Sequence, residues 1–133
     1  MANTTYPKAR QAMLSGQINL TTADVKIILV DLADYAYGAA HEFLSDVPSA
    51  ARVATTAAVG SKTVTGGVFD HADTTFGPTT GDPSEALIWY VDTGTAGTSR
   101  LVHYQDTGIA NMPVTPNGGA IDLALNPNGV FSI

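Results

Sequence analysis

Glu85-Ala-Leu-Ile-Trp-Tyr-Val-Asp92 and Ser99-Arg-Leu-Val-His-Tyr-Gln-Asp106, joined by the Gly- and Thr-rich stretch from Thr93 to Thr98, decide the fold. Both runs are dense in the β-branched and aromatic residues that suit a pleated surface, and the link between them is turn-like, so together they predict a β-hairpin. Side chains on a strand point alternately to opposite faces. Leu87, Trp89 and Val91 therefore share one face, while Ile88 and Tyr90 share the other. In the second strand Leu101 and His103 alternate with Val102 and Tyr104. Apolar residues on both faces require cover on both sides, and a simple two-layer protein supplies only one. The expected second cover is a neighbouring subunit or the N-terminal helix.

Outward from the hairpin, the remainder of the chain reads as further short strands between turn signals. Val25 to Asp31 is nearly continuous in apolar, β-branched residues and predicts a central strand buried on both faces. Arg52 to Thr56, Lys62 to Thr65, Val68 to Asp70 and Asp73 to Phe76 follow, with Gly66-Gly67 as a tight turn. Ala120 to Leu125 alternates as a half-buried strand, and Val130 to Ile133 closes the chain as another. Tyr6-Pro7 precedes a short helix from Lys8 to Ser15 that Gly16 stops, docked through Tyr6, Met13 and Leu14. Leu32 to Ala51 has no clear period and reads as a long connection, with a brief helical turn near Glu42 to Ser45. The expected fold is mainly β, an antiparallel β-sandwich or jelly-roll-like domain over residues 1–133, with residues 1–16 as an N-terminal arm and short helix.

Composition narrows the function classes. At 133 residues the chain has the usual size of one domain. Charged residues make up 14%, against roughly 25% in an average soluble domain, and Thr, Ser, Asn and Gly take their place. Six basic residues against twelve acidic ones give a formal charge of −6, so direct nucleic-acid binding is not expected. The absence of cysteine excludes disulfides, thiol catalysis and Cys-ligated metals. No charged, apolar secretion signal opens the chain, and the longest apolar run is far short of the roughly 20 residues of a membrane span. Synthesis in the cytoplasm and no membrane partner are expected.

Residues with chemical potential have plain alternatives. Asp70-His71-Ala72-Asp73 is the most ligand-like cluster, yet an acidic turn accounts for it, because His41 and His103 are remote in sequence and a metal site needs more ligands. Asp31 and Asp34 could form an acid/base pair, but Asp34 suits a turn. His41-Glu42 lacks the second histidine of a zinc-protease motif, since position 45 is Ser45. His103 on its strand fits a hydrogen-bonded core or interface histidine. No nucleophile elbow or phosphate loop occurs. Trp89, Tyr90 and Tyr104 could stack on a sugar, although packing is the commoner role of such a cluster. The residues thus point to no enzyme, no cofactor and no metal.

One resemblance spans most of the chain. Tyr6-Pro-Lys-Ala-Arg10, Gly16 to Leu20, Val25 to Asp31, His41 to Pro48, Ala51 to Ala54, Lys62 to Thr65, Gly67 to Asp70, Ser84 to Leu87, Asp92 to Gly94, Ser99 to Leu101 and Pro113 to Gly119 together resemble a family of small structural proteins of tailed bacteriophages. The ending from Leu123 to Ile133 departs from the more aromatic or charged close expected of such relatives. The resemblance implies a virion protein, above all a capsid decoration (cement) protein on the head surface, with a tail, collar or baseplate component as the alternative and a host-glycan-binding module as a further one. It implies the major capsid protein, other virion proteins and a homotrimer as partners. Tyr6, Met13, Leu14, Trp89, Tyr90, Tyr104, Phe131 and Ile133 are the expected interface residues.

Overall fold

Both apolar faces of the hairpin are covered by the chain itself. The computed structural model describes residues 3–107, 109, 112–123 and 129–132. In chain order it contains β1 (Thr4–Thr5), α1 (Pro7–Leu14), β2 (Val25–Val30), two 3₁₀ turns (Leu44–Asp46 and Ser49–Ala51), β3 (Arg52–Thr55), β4 (Thr63–Thr65), β5 (Val68–Asp70), β6 (Thr74–Phe76), β7 (Ala86–Val91), β8 (Arg100–Gln105), β9 (Ile121–Leu123) and β10 (Phe131–Ser132). The protein is mainly β, with ten strands and one short α-helix among the described residues, in a β-sandwich-like arrangement.

A five-stranded sheet in the order β1-β8-β7-β2-β3, antiparallel throughout, forms the central layer. β7 and β2 lie in its interior and align without a slip from Val25 opposite Val91 to Val30 opposite Ala86. This register places Ile27 beside Trp89 and Ile28 beside Ile88, so each face receives a continuous apolar band. Ile27, Ile28, Leu29, Leu87, Ile88 and Trp89 are all fully buried. Each such side chain contributes about 1.5–3 kcal/mol relative to an exposed position, which makes this pair of strands the main source of stability.

One face packs under α1 and the long connection. Tyr6 and Ala9 join Tyr35, Leu44, Val47 and Ala51 over Ile28, Val30, Ile88, Tyr90, Leu101 and Tyr104. The opposite face packs against two small sheets, β10-β5-β4 and β6-β9, which contribute Phe69, Phe76 and Leu123 to a core with Ile27, Leu87, Trp89 and Val102. Three layers replace the expected two. The need for a neighbouring subunit over the hairpin therefore disappears, and the N-terminal helix with the 31–51 connection supplies the second cover.

A slip in the β7–β8 register corrects the alternation read from the sequence. Trp89 lies opposite His103 but Tyr90 lies opposite Leu101, so Val102 is the extra residue of a β-bulge. Leu101 and Tyr104 consequently belong to the tyrosine-rich face and Val102 to the tryptophan face, where the His103 ring also meets Trp89. The free edge of β8 is closed by several backbone donors. Thr4 and Thr5 pair with Tyr104 and His103, the Tyr6 N–H donates to the Val102 carbonyl, and the Leu44 N–H donates to the Ser99 carbonyl. Covering an edge in this way prevents strand addition.

Local signals set the element ends. Pro7 starts α1, and the chain leaves it through Gly16 at φ 77°, where the Gln17 N–H donates back to the Ala12 carbonyl. Gly66 and Gly67, both at positive φ, form the two-residue turn that joins β4 to β5 and matches the twist of a hairpin. The sequence-predicted strand from Ala120 to Leu125 is observed as β9. Its last two residues, like Ile133, lie outside the described residues.

Candidate functional site

Trp89 is the centre of a buried cluster on the small-sheet face. Alternation along β7 aims it at the layer formed by β5 and β10, and the β8 bulge brings His103 beside it. The Trp89 Nε1–H donates to His71 Nε2 at 2.9 Å, and His71 Nδ1 lies 2.7 Å from the Ala72 carbonyl. A carbonyl can only accept, so the Nδ1 carries the proton and the ring is neutral. Burial pushes the His71 pKa down, against the Ala72 hydrogen bond and the Asp70 and Asp73 carboxylates, which pull it up. His103 stacks on Phe131 with centroids 4.6 Å apart, meets Trp89 edge-on at 5.7 Å, and has its Nδ1 3.2 Å from Thr5 Oγ1. Burial lowers its pKa to about 4.

These contacts assign both histidines to the core. The ring of His71 is spent on Trp89 and Ala72, while Asp70 accepts from the His71 backbone N–H, so the Asp70-His71-Asp73 turn does not converge on an ion. Trp89, Tyr90 and Tyr104 are at most 5% exposed and offer no face to a sugar.

On the helix side, Tyr6 Oη and Tyr35 Oη lie 2.8 Å apart, and Tyr35 Oη lies 2.8 Å from His41 Nδ1. Tyr37 sits against both Tyr6 and Tyr104, and the Tyr104 hydroxyl donates to Asp106. Burial is the first cause of the raised pKa values of Tyr6, Tyr35 and Tyr104, with Tyr35 pushed up to about 12. An unfolded tyrosine ionises near pH 10, so the stability these groups contribute is complete below pH 10 and is lost as pH rises towards the folded values. From Tyr35 alone the loss between pH 10 and 12 is about 3 kcal/mol. Urea denaturation across that range should show a steep fall, and a flat profile up to pH 12 would contradict the buried hydroxyl network.

The charged groups pair locally. Lys26 and Asp92 form an ion pair at 2.8 Å, and Arg100 reaches Glu42 at 2.7 Å while lying over the Phe43 ring. Carboxylate oxygens of Asp31, Asp34 and Asp82 come within 4.8 Å of one another, with Asp31 buried and the other two exposed. The Asp31 side chain accepts from the Ala33 N–H and the Asp34 N–H donates to the Asp31 carbonyl, so the side chain that forms the turn is that of Asp31, where Asp34 was expected to do so.

The expected interface residues separate into three groups. Tyr6, Trp89, Tyr90 and Tyr104 are core residues, which corrects their assignment as contacts with another subunit: they are buried within the chain's own two cores, Trp89 on the small-sheet face and the three tyrosines on the helix side. Met13 and Phe131 are partly buried. Leu14, expected to dock the helix, instead points outward at 88% exposure, because Ala9 and Ala12 form the buried stripe of α1. Ile133 lies outside the described residues.

Leu14 and Val64 are the exposed large apolar side chains among the described residues. Met13, Ile18, Leu20 and Val64 line an open groove of about 500 Å³ between the end of α1 and β4. Sequence reasoning missed Val64 as a surface residue, and the flanking Thr63 and Thr65 were the available signal, since a three-residue strand bounded by threonines is short enough to stay at an edge. No protein-family model matches the chain, and no curated protein is detectably similar to it.

Proposed function

We propose that this chain is a structural protein of a tailed-bacteriophage virion, acting as a capsid decoration subunit that binds the outer surface of the major capsid protein. The observation that carries the reading is an open apolar groove with the exposed Val64 on its wall, at the end of the helix that also displays Leu14 to solvent, Leu14 and Val64 being the exposed large apolar side chains among the described residues. An exposed apolar groove such as the one lined by Met13, Ile18, Leu20 and Val64 marks an interaction surface more often than apolar side chains exposed singly do. The low charge and the threonine-rich exterior support the same reading, since neither favours a charged ligand. The sheet needs no partner to cover it, so the subunit folds first and docks afterwards. Such docking, repeated over a shell, opposes outward pressure from the packaged genome, and a closed trimer would match a threefold site.

The test is binding of purified protein to empty capsids. Burying a leucine is worth about 1.5–3 kcal/mol, so Leu14→Glu combined with Val64→Lys should weaken binding at least about tenfold. Both positions are exposed, so the unfolding free energy from urea denaturation should stay within about 0.5 kcal/mol of the parent. Unchanged capsid binding by the double variant would reject the groove as the contact. Copy number in quantitative gels of whole particles separates a shell protein, at several hundred, from a tail component, at a few tens.

A further inference from the structure

The two buried histidines sit on either side of the chain's single tryptophan. Each holds a different part of the small-sheet layer. His71 follows β5 directly and is bonded to Trp89. His103 belongs to the central sheet and receives Phe131 of β10 as a stacked ring. β10 pairs with β5 in turn, through Phe131 opposite Phe69. Two imidazoles therefore lie within the contact between this layer and the sheet, beside the apolar packing of Phe69, Phe76 and Leu123.

The geometry points to an acid-opened latch: neutral His71 and His103 clip β5 and β10 onto the Trp89 face of the five-stranded sheet, and their protonation releases that layer while the tyrosine-rich face stays packed.

Protonation of His71 must occur at Nε2, because Nδ1 already carries a proton for the Ala72 carbonyl. That places an N–H against the Trp89 Nε1–H across 2.9 Å, two donors facing each other. Trp89 is fully buried, so its N–H has no water to turn to. At His103 the hydroxyl of Thr5 can donate or accept and so does not select a protonation state. The cation there would sit 5% exposed between two aromatic rings.

The charged groups around the latch do not neutralise it. Asp70 at the end of β5 and Asp73 before β6 favour a charged His71, yet burial outweighs them. Among the described residues no charged group offsets the burial of His103. On the β1 side Arg10 donates to the Thr5 carbonyl, which adds a cation and no acceptor. β7 brings Trp89 and β10 brings Phe131 to His103, neither of them titratable in acid.

A histidine whose folded pKa is depressed costs nothing above the unfolded value near 6.5, and its penalty grows as pH falls from there to the folded value. The equilibrium constant for closing the latch should thus drop about tenfold per pH unit for each histidine. For His103 alone, between 6.5 and about 4, the drop is about 300-fold.

Amide hydrogen exchange between pH 7 and 4.5, corrected for the intrinsic rate, tests this on the whole chain, with the fluorescence of Trp89 as a second reading. In the wild type, protection should fall first at Phe69 and Val130 while Ile28 and Ile88 keep theirs, and the fluorescence should change over the same pH interval. His71→Gln retains an acceptor for Trp89 and His103→Phe retains the stack, so the double variant should lose the acid step. Uniform loss of protection across β2, β5, β7 and β10 would overturn the latch, as would retention of protection at Phe69 and Val130 down to pH 4.5. An unchanged acid step in a folded double variant would also overturn it. If the double variant does not fold, the wild-type exchange pattern decides alone.

Discussion

Trp89→Ala is expected to cost about 3–5 kcal/mol of stability, measured by urea denaturation at pH 7. Trp89 is the largest fully buried side chain and stands on β7, the middle strand of the central sheet. Its removal opens a cavity between that sheet and the β5–β10 layer, where His71, His103, Phe69 and Phe131 cannot all collapse inward without breaking their ring contacts. It also strips the donor from His71 Nε2. Trp89→Phe separates the two effects, because it retains most of the apolar volume but leaves that nitrogen unpaired, for a cost of about 1–3 kcal/mol. A Trp89→Ala protein within 1 kcal/mol of the parent would mean that this ring is not the keystone of the face, and would reopen the idea of an exposed aromatic platform.

The strands of this protein were legible in the sequence because period two and turn chemistry are local properties. β2, β7 and β8 lie where the apolar runs place them, and the Gly66-Gly67 turn is where its dipeptide says. What covers a strand is not local. The stretch from Leu32 to Ala51 reads as a connection because Tyr35, Leu44, Val47 and Ala51 follow no period, yet these four roof one face of the sheet. Tyr35 and Val47 reach the core from irregular backbone and Leu44 and Ala51 from single 3₁₀ turns, so their burial is decided by partners far along the chain. For the same reason the apolar hairpin left a neighbouring subunit and the N-terminal helix as equal candidates for its second cover, when the helix and the chain's own 31–51 connection supply it.

The site residues show the same division. His71 sits among acids and so reads as part of an acidic turn, the most ligand-like cluster of the sequence. Only the tertiary fold brings it to Trp89, and only the Ala72 carbonyl fixes which nitrogen holds its proton. The β8 bulge is silent in sequence, since Leu101-Val102-His103-Tyr104 satisfies strict alternation as well as the slipped register that is observed. Met13 and Leu14 are adjacent and similar in character, and helix rotation alone decides that the first is partly covered while the second faces outward.

Tyr6→Ala is expected to lower stability by about 3–5 kcal/mol, against about 1 kcal/mol for Tyr6→Phe. Tyr6 is fully buried at the residue preceding α1, and that helix has eight residues with no side-chain cap at its N-terminus. So short a helix does not persist alone in water and holds its shape only by docking. The ring of Tyr6, against Tyr37 and the core around Ile28 and Ile88, is the anchor. Loss of the hydroxyl alone removes one link, and Tyr35 still has His41. Loss of the ring frees α1, and with it Met13 at the wall of the groove. The capsid binding proposed above should accordingly be weakened by Tyr6→Ala and preserved in Tyr6→Phe, with faster amide exchange at Ser15 and Gln17 only in the alanine variant. If Tyr6→Ala instead bound capsids as tightly as the parent while those amides exchanged freely, the order of α1 would be irrelevant to docking, and the groove at its end could not be the contact.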